Sequence, residues 1–291
     1  MTMPTQTNLL TLRDGRQLAF AEYGDPNGKP VFLIQGTPSS RLMHPDEQVT
    51  RSLGVRLVMF DRPGFGLSDF QPKRTLLDYP NDLIQLADSL GIKRFAIAGI
   101  SGGGPYTAVT AYKLADRVTT AGFISAAGPA DAPQALTGIA PVRRIGFYLA
   151  RYLFALVQPL LWLTNNPQRN PERFFAQYTS HNPPADQAIL ARPEIRTLMM
   201  ANYAESTRQG LRGFAWELRV VAQPWGFAPR DIKVPAYIWH GDADNSTPIS
   251  MARYLASEIP NSQATYFPNA GHLFIFEPQR WHEMLQTLIQ G

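Results

Sequence analysis

The sequence predicts an α/β fold: a mostly parallel sheet flanked by helices on both faces, with one inserted helical cap. Three observations carry this. Short apolar runs alternate with amphipathic stretches through residues 1–130 and again through 225–291, the pattern of strands crossed over by helices. Between them, 131–224 shows no strand pattern, and aromatic and arginine-rich helical stretches follow one another. Finally, an apolar strand runs into Gly99-Ile100-Ser101-Gly102-Gly103-Gly104 and then directly into a helix, although ordering three successive glycines costs more backbone entropy than any other choice.

The elements follow in order. "LLTLRDGRQLAFAEYG" reads as an antiparallel hairpin at the sheet edge, turning at Asp14-Gly15. "VFLIQ" (31–35) and "VRLVMF" (55–60) are rich in branched residues and bounded by Gly or Pro, as buried strands are. Leu76, Leu83, Leu86 and Leu90 keep helical spacing, and Gly91 supplies the C-terminal stop. "RFAIAG" (94–99) is the next strand. The helix "PYTAVTAYKLA" opens on Pro105, whose missing N–H does no harm in a first turn. "TTAGFISA" (119–126) closes the first half. Helical stretches are expected at 141–163, 170–180, 193–209 and 211–222. The strand "VPAYIWHG" (234–241), the helix "ISMARYLASEI", the strand "QATYFP" and the helix "PQRWHEMLQTLIQ" complete the chain. The expected organisation is therefore a core of 1–130 and 225–291 and a cap of 131–224.

Composition narrows the function classes. The chain has 291 residues, 44% of them hydrophobic and 17% charged, as in an ordinary globular protein. The net charge of +4 sits in 131–224, where ten arginines face six acids. No basic run of five occurs, so nucleic acid is not an expected partner. The chain has no cysteine, which excludes disulfides, thiolate nucleophiles and Cys-ligated zinc. "MTMPTQTNLL" has no basic residues ahead of an apolar core, so a secretory signal is not expected and the cytoplasm is the expected compartment. "IGFYLARYLFALVQPLLWL" (145–163) approaches membrane-spanning length, but Arg151, Gln158 and Pro159 argue against a stable span and for a buried helix.

Ser101 lies at the centre of Gly99-x-Ser101-x-Gly103 between a strand and a helix, the context of a nucleophile elbow. Neither GxGxxG nor GxxxxGK[ST] is present, which disfavours a nucleotide loop. A serine hydroxyl needs a base, and the base needs an orienting acid. In this topology they follow in the order Ser, acid, His, each after a strand. Asp244 lies in the loop after "YIWHG" and His272 in the loop after "QATYFP", giving Ser101, Asp244 and His272 as the candidate triad. Asp242 is the fallback acid and Asp131, after the strand at 119–126, a minor alternative. His240 with Asp242 and Asp244 has no metal-ligand spacing; it reads as structural, and no metal or cofactor is expected. His44, His181 and His282 have no motif around them and read as surface or packing residues, while Asp61 and Arg62 read as braces of loops.

With these residues placed, the whole chain resembles a capped α/β-hydrolase. "DRPGFGLSD" (61–69), Gly241-x-x-Asp244 and Ala270-Gly271-His272 are each similar to a loop of that family. The resemblance implies an eight-stranded sheet and the triad above. The oxyanion hole of such a site uses the backbone N–H after the nucleophile, here Gly102, and one from the loop after the third strand. "QGTPSSR" resembles the family's His-Gly-x-Pro loop, which points to Thr37 as the second donor, with Gln35 where histidine is usual.

The aromatics of 131–224 suit an apolar pocket for a modest, hydrophobic small molecule. Gln35, Phe147, Trp162, Trp216 and Leu273 are the expected pocket positions. Ser101 excludes the carboxylate-nucleophile subtypes, and the tryptophan-containing elbow of proline iminopeptidases is absent. The leading expectation is hydrolysis of a small hydrophobic carboxylic ester or lactone through an acyl-enzyme. C–C bond hydrolysis, cofactor-free oxygen chemistry and a ligand-binding protein with a vestigial triad are the other readings. A homodimer is compatible with the sequence.

Overall fold

A computed structural model describes residues 7–133, 137, 141–164 and 170–290. Its eight-stranded sheet is built from β1 (Asn8–Thr11), β2 (Gln17–Gly24), β3 (Lys29–Ile34), β4 (Val55–Phe60), β5 (Phe95–Ile100), β6 (Val118–Ile124), β7 (Ala236–Gly241) and β8 (Ser262–Phe267). Their spatial order is β1-β2-β4-β3-β5-β6-β7-β8. Pairings are antiparallel for β1–β2 and β2–β4 and parallel from β4 to β8. The hairpin forms as expected, with Gly15 at φ +86° in its turn.

Both faces of the sheet are covered, which explains why its central strands read as continuous apolar runs rather than alternating ones. In β5, Phe95 and Ile97 enter one core with α2 (Tyr79–Ser89), α3 (Gly104–Lys113) and α10 (Ile249–Glu258). Ala96, Ala98 and Ile100 enter the other, where α11 (Pro278–Gln290) contributes Trp281, Met284, Leu285 and Leu288. Small residues at 96 and 98 let that helix layer approach the sheet. A short α1 (Glu47–Ser52), which the sequence reading lacked, starts on Asp46; its side chain accepts the N–H groups of Gln48 and Val49.

Between β6 and β7 the described residues form only helices: α4 (Pro141–Tyr152), α5 (Val157–Thr164), α6 (Pro171–Ser180), α7 (Pro184–Leu190), α8 (Pro193–Ser206) and α9 (Arg212–Ala222), with short 3₁₀ turns. The long apolar stretch therefore breaks at Leu153 instead of running through 141–163 as one helix. Among the described residues no single helix is long and apolar enough to cross a membrane; Arg144–Tyr152 and Phe154–Thr164 pass that test only jointly and are bent by 118°. Helix α7 was also unforeseen, because seven residues that begin at the second of two prolines leave little periodicity to read.

The helices between β6 and β7 share both sheet cores and form one further cluster. Val220 and Val221 of α9 belong to the first sheet core, and Phe175, Ile189, Leu198, Met199 and Tyr203 to the second. A third cluster joins Ala150, Val157, Leu161 and Phe214 of the insert to Phe65 of the loop after β4.

Candidate active site

The strand register fixes which loops meet. Ile34 pairs with Gly99, Ile100 with Ile124, Ile124 with Trp239 and Gly241 with Phe267. The loops leaving the carboxyl ends of β3, β5, β7 and β8 therefore emerge along one edge of the sheet, where ligands of open parallel sheets bind.

Ser101 follows β5 at φ +55°, a left-handed conformation that costs a non-glycine residue about 1–3 kcal/mol. A 3₁₀ turn, Ser101–Gly103, then leads into α3. The glycines around it answer to space. A Cβ on Gly99 would lie 2.3 Å from Thr107 Oγ1, and one on Gly103 would lie 2.3 Å from the Ile34 carbonyl oxygen. Strand, helix and the neighbouring strand end thus close in at distances that exclude a side chain.

The loop after β3 is equally tight against the elbow. A Cβ on Gly36 would lie 3.2 Å from Ser101 Cβ, and one on Gly102 2.5 Å from Thr37 Oγ1. Thr37 and Gly102 are thus neighbours, each three residues past the Ile34–Gly99 pair. Gln35 is buried, and its side-chain amide donates to the Phe60 carbonyl at 2.8 Å. That bond ties the loop to β4 and occupies the amide nitrogen.

His272 and Asp244 meet directly. His272 Nδ1 lies 2.7 Å from Asp244 Oδ2, with both side chains buried. The other carboxylate oxygen accepts the N–H groups of Ser246 and Thr247 at 2.8 and 3.0 Å. Burial works against the ionised form of Asp244, but the His272 ring and these hydrogen bonds outweigh it and hold the carboxyl below its usual range. A ring nitrogen facing a carboxylate carries the proton, so in the neutral ring of His272 the acceptor is Nε2. The Thr247 hydroxyl donates to the Ser125 carbonyl at 3.0 Å and sits 3.3 Å from His272 Nδ1.

The competing residues have other partners. Asp242 accepts the Asn269 N–H at 2.6 Å and closes the turn, and Asp131 is exposed. His240 is buried, bonded through Nε2 to the Thr247 carbonyl at 2.8 Å and 3.5 Å from Asp244 Oδ2; burial pushes its imidazole down. His44 is buried against Tyr23, with ring centroids 4.1 Å apart, while His181 and His282 are exposed. Among the described residues no group of three His, Cys, Asp or Glu side chains could hold a metal ion.

Two carboxylates of the insert were missed by the sequence reading and reach this edge. Asp186 of α7 is buried and accepts the backbone N–H groups of His272 and Leu273 at 2.7 and 2.8 Å. Gly271 lets it in, since a Cβ there would lie 2.4 Å from the Asp186 carboxyl carbon. Burial pushes the Asp186 carboxyl up, against the pull of those two N–H groups.

Glu217 of α9 is fully buried between Arg62 Nε at 2.9 Å and Arg74 at 2.6 Å, and also accepts from the Tyr106 hydroxyl at 2.8 Å. Burial opposes its ionisation, but the two guanidinium groups prevail and hold its carboxyl low. Arg62 in turn donates to the Gln35 carbonyl, to the Gly36 carbonyl at 2.6 Å and to Thr37 Oγ1 at 2.9 Å. It braces the loop, as expected of it. Asp61 does likewise, accepting the Arg41 N–H at 2.6 Å and the Leu67 N–H at 3.1 Å. Asn202 of α8 adds a third clasp, accepting the Ser40 N–H at 2.8 Å and the Ser39 hydroxyl at 3.1 Å. The signal available in the sequence was a polar residue on an apolar helix face: Glu217 three residues from Phe214 and Val220, and Asp186 three from Ile189.

The expected pocket residues scatter. Phe147 packs on Met251, as do Ala127 and Ala132, and the Ala127 N–H donates to the Ser101 carbonyl at 2.9 Å. Trp216 donates from its indole N–H to the Arg74 carbonyl at 3.0 Å and meets Phe154 and Phe70 edge-on. Leu273 is buried beside His272. Trp162, by contrast, is 54% exposed on α5.

The comparisons agree with this architecture. A family model described as alpha/beta hydrolase fold matches residues 29–279. A proline iminopeptidase of Xylella fastidiosa (strain 9a5c) is 31% identical over 110 residues; the match covers 34% of this chain and only 33% of that protein. A hydrolase from Pseudomonas aeruginosa PA01 superposes with a TM-score of 0.75 at 17% identity, over 99% of each chain. A thermophilic esterase from Thermogutta terrifontis superposes with a TM-score of 0.68 at 24% identity, over 98% of each chain. With the family match running from β3 to the start of α11 and the sheet order intact, the chain belongs to the alpha/beta hydrolase fold family.

Proposed function

We propose that the protein is a serine hydrolase of small hydrophobic carboxylic esters or lactones, with 131–224 as its cap. The observation that carries the reading is the buried 2.7 Å bond between His272 Nδ1 and Asp244 at the sheet edge where Ser101 is lifted on a left-handed elbow. In the mechanism, Nε2 of His272 takes the proton of Ser101 as Oγ attacks the acyl carbon. Backbone N–H groups of Gly102 and Thr37 receive the oxyanion. His272 returns the proton to the leaving alkoxide, and water, activated by the same ring, releases the acid.

An ester fits the site better than a peptide amino terminus. Glu217 is the cap acid beside the oxyanion loop, and Arg62, Arg74 and Tyr106 already occupy its oxygens. A substrate ammonium would have to displace a buried arginine.

The test pairs short aryl esters with a fluorophosphonate probe. Saturable hydrolysis, and a single adduct on Ser101 that is lost in Ser101→Ala, are expected. An adduct elsewhere, or undiminished turnover in Ser101→Ala, overturns the mechanism.

A further inference from the structure

Eight of the eleven exposed large hydrophobic residues among those described lie in one stretch of nineteen, residues 145–163 on α4, α5 and the 3₁₀ turn between them. An exposed patch of this kind on a folded protein marks an interaction surface. On α4 the exposed face is ordered: Arg144, Tyr148 and Tyr152 follow at four-residue intervals, with Ile145 beside them. The Tyr148 and Tyr152 rings are 4.8 Å apart at their centroids, and the Arg151 guanidinium lies 5.3 Å from the Tyr152 ring. After the 118° bend, α5 buries Val157 and Leu161 and leaves Leu160, Trp162 and Leu163 exposed.

The charge pattern selects the occupant. From 132 to 171 the chain has four arginines and no Asp or Glu. A second copy docked face to face would bring the Arg144 and Arg151 groups of both chains together with no acid in the stretch to offset them, an arrangement that costs stability. An apolar face flanked by arginine, tyrosine and tryptophan instead suits the boundary between headgroups and acyl chains, where the aromatics and aliphatics enter and the guanidinium groups meet lipid phosphates. The 118° bend divides the stretch into two short helices, a shape suited to lying along an interface rather than crossing as one rod.

We infer that the outer face of α4 and α5 docks on an anionic phospholipid surface. The inference is independent of the ester chemistry, although Phe147 of α4 packs on Met251, which also receives Ala127 behind Ser101.

Vesicle flotation with the full chain tests it, using phosphatidylcholine mixed with phosphatidylglycerol against phosphatidylcholine alone. Wild type is expected to float with the mixed vesicles and to be released when salt rises from about 0.1 to about 0.5 M. Arg144→Gln with Arg151→Gln should weaken binding about thirtyfold, since each arginine near such a surface is worth roughly fivefold. Leu156→Ser with Leu163→Ser should weaken it at least about tenfold. Circular dichroism and the melting temperature check that both variants remain folded. Failure of wild type to float, or equal flotation of the folded variants, overturns the inference. So does a concentration-dependent dimer in sedimentation velocity that Leu156→Ser with Leu163→Ser abolishes, because the face would then belong to a second copy.

Discussion

Asp186, on a helix of the insert, holds the backbone of His272: its two carboxylate oxygens accept the N–H groups of residues 272 and 273 at 2.7 and 2.8 Å. The imidazole is therefore positioned from two sides, by Asp244 at the ring and by Asp186 at the main chain. Asp186→Ala leaves two buried N–H groups without an acceptor and should destabilise the protein by about 2–4 kcal/mol. Through the displaced ring it should lower kcat for ester hydrolysis about 10- to 100-fold with little change in KM. Asp186→Asn, which keeps one acceptor oxygen, should recover part of the loss. Equal kcat in wild type and Asp186→Ala would leave Asp186 with a stabilising role only.

Glu217 offers a prediction in pH. Its carboxyl is held below the ordinary 4.5 by Arg62 and Arg74, against the cost of burial. A depressed acid contributes stability above its unfolded value, and that contribution is lost as pH falls through the folded value. Glu217→Gln should thus lose about 3–5 kcal/mol at neutral pH, because two buried guanidinium groups lose their counter-charge. The deficit should shrink once pH drops well below 4.5. Urea unfolding of both proteins across the acid range measures the convergence; a constant gap would rule out ionisation of Glu217 as the source.

The close packing of Gly102 against Thr37 predicts a steric suppressor. Gly102→Ala places a methyl 2.5 Å from Thr37 Oγ1, pushing the proposed oxyanion donors apart. It should reduce kcat at least about 100-fold, the scale of losing one such donor. Adding Thr37→Ala removes the nearest clashing atom and should restore part of the rate, although Thr37→Ala alone forfeits the Arg62 contact. A double variant no faster than Gly102→Ala would locate the damage elsewhere.

Ser101 sets stability against activity. Ser101→Gly relieves a side chain held at φ +55° and should raise unfolding free energy by about 1 kcal/mol while abolishing ester turnover. Denaturant titration beside the ester assay reads both effects. A destabilised Ser101→Gly would mean that the elbow imposes no strain.

Much of this was legible in the chain because it is encoded locally. β4 was read to the residue, and β5, α3 and β6 to within a few, since branched runs bounded by Gly or Pro and helical apolar spacing are local signals. The encounter of Asp244 with His272 followed from loop order after strands. The clasping residues Asp186, Asn202 and Glu217 were not legible, because each is defined by a partner between 86 and 180 residues away. The break at Leu153 was hidden because no Gly or Pro marks it: Pro159 lies instead in the first turn of α5. Trp162 was counted with the pocket because hydropathy alone does not say which side of a helix faces out.

The arrangement by which three insert helices grip the β3 and β8 loops bears on transplantation. A segment grafted between β6 and β7 without acids at the places of Glu217 and Asp186 would leave Arg62 and Arg74 without their anion and the His272 turn without its acceptor. Such an exchange would loosen the loops that carry Thr37 and His272. Productive chimeras will need to carry positions 186, 202 and 217 along with whatever new lining they import.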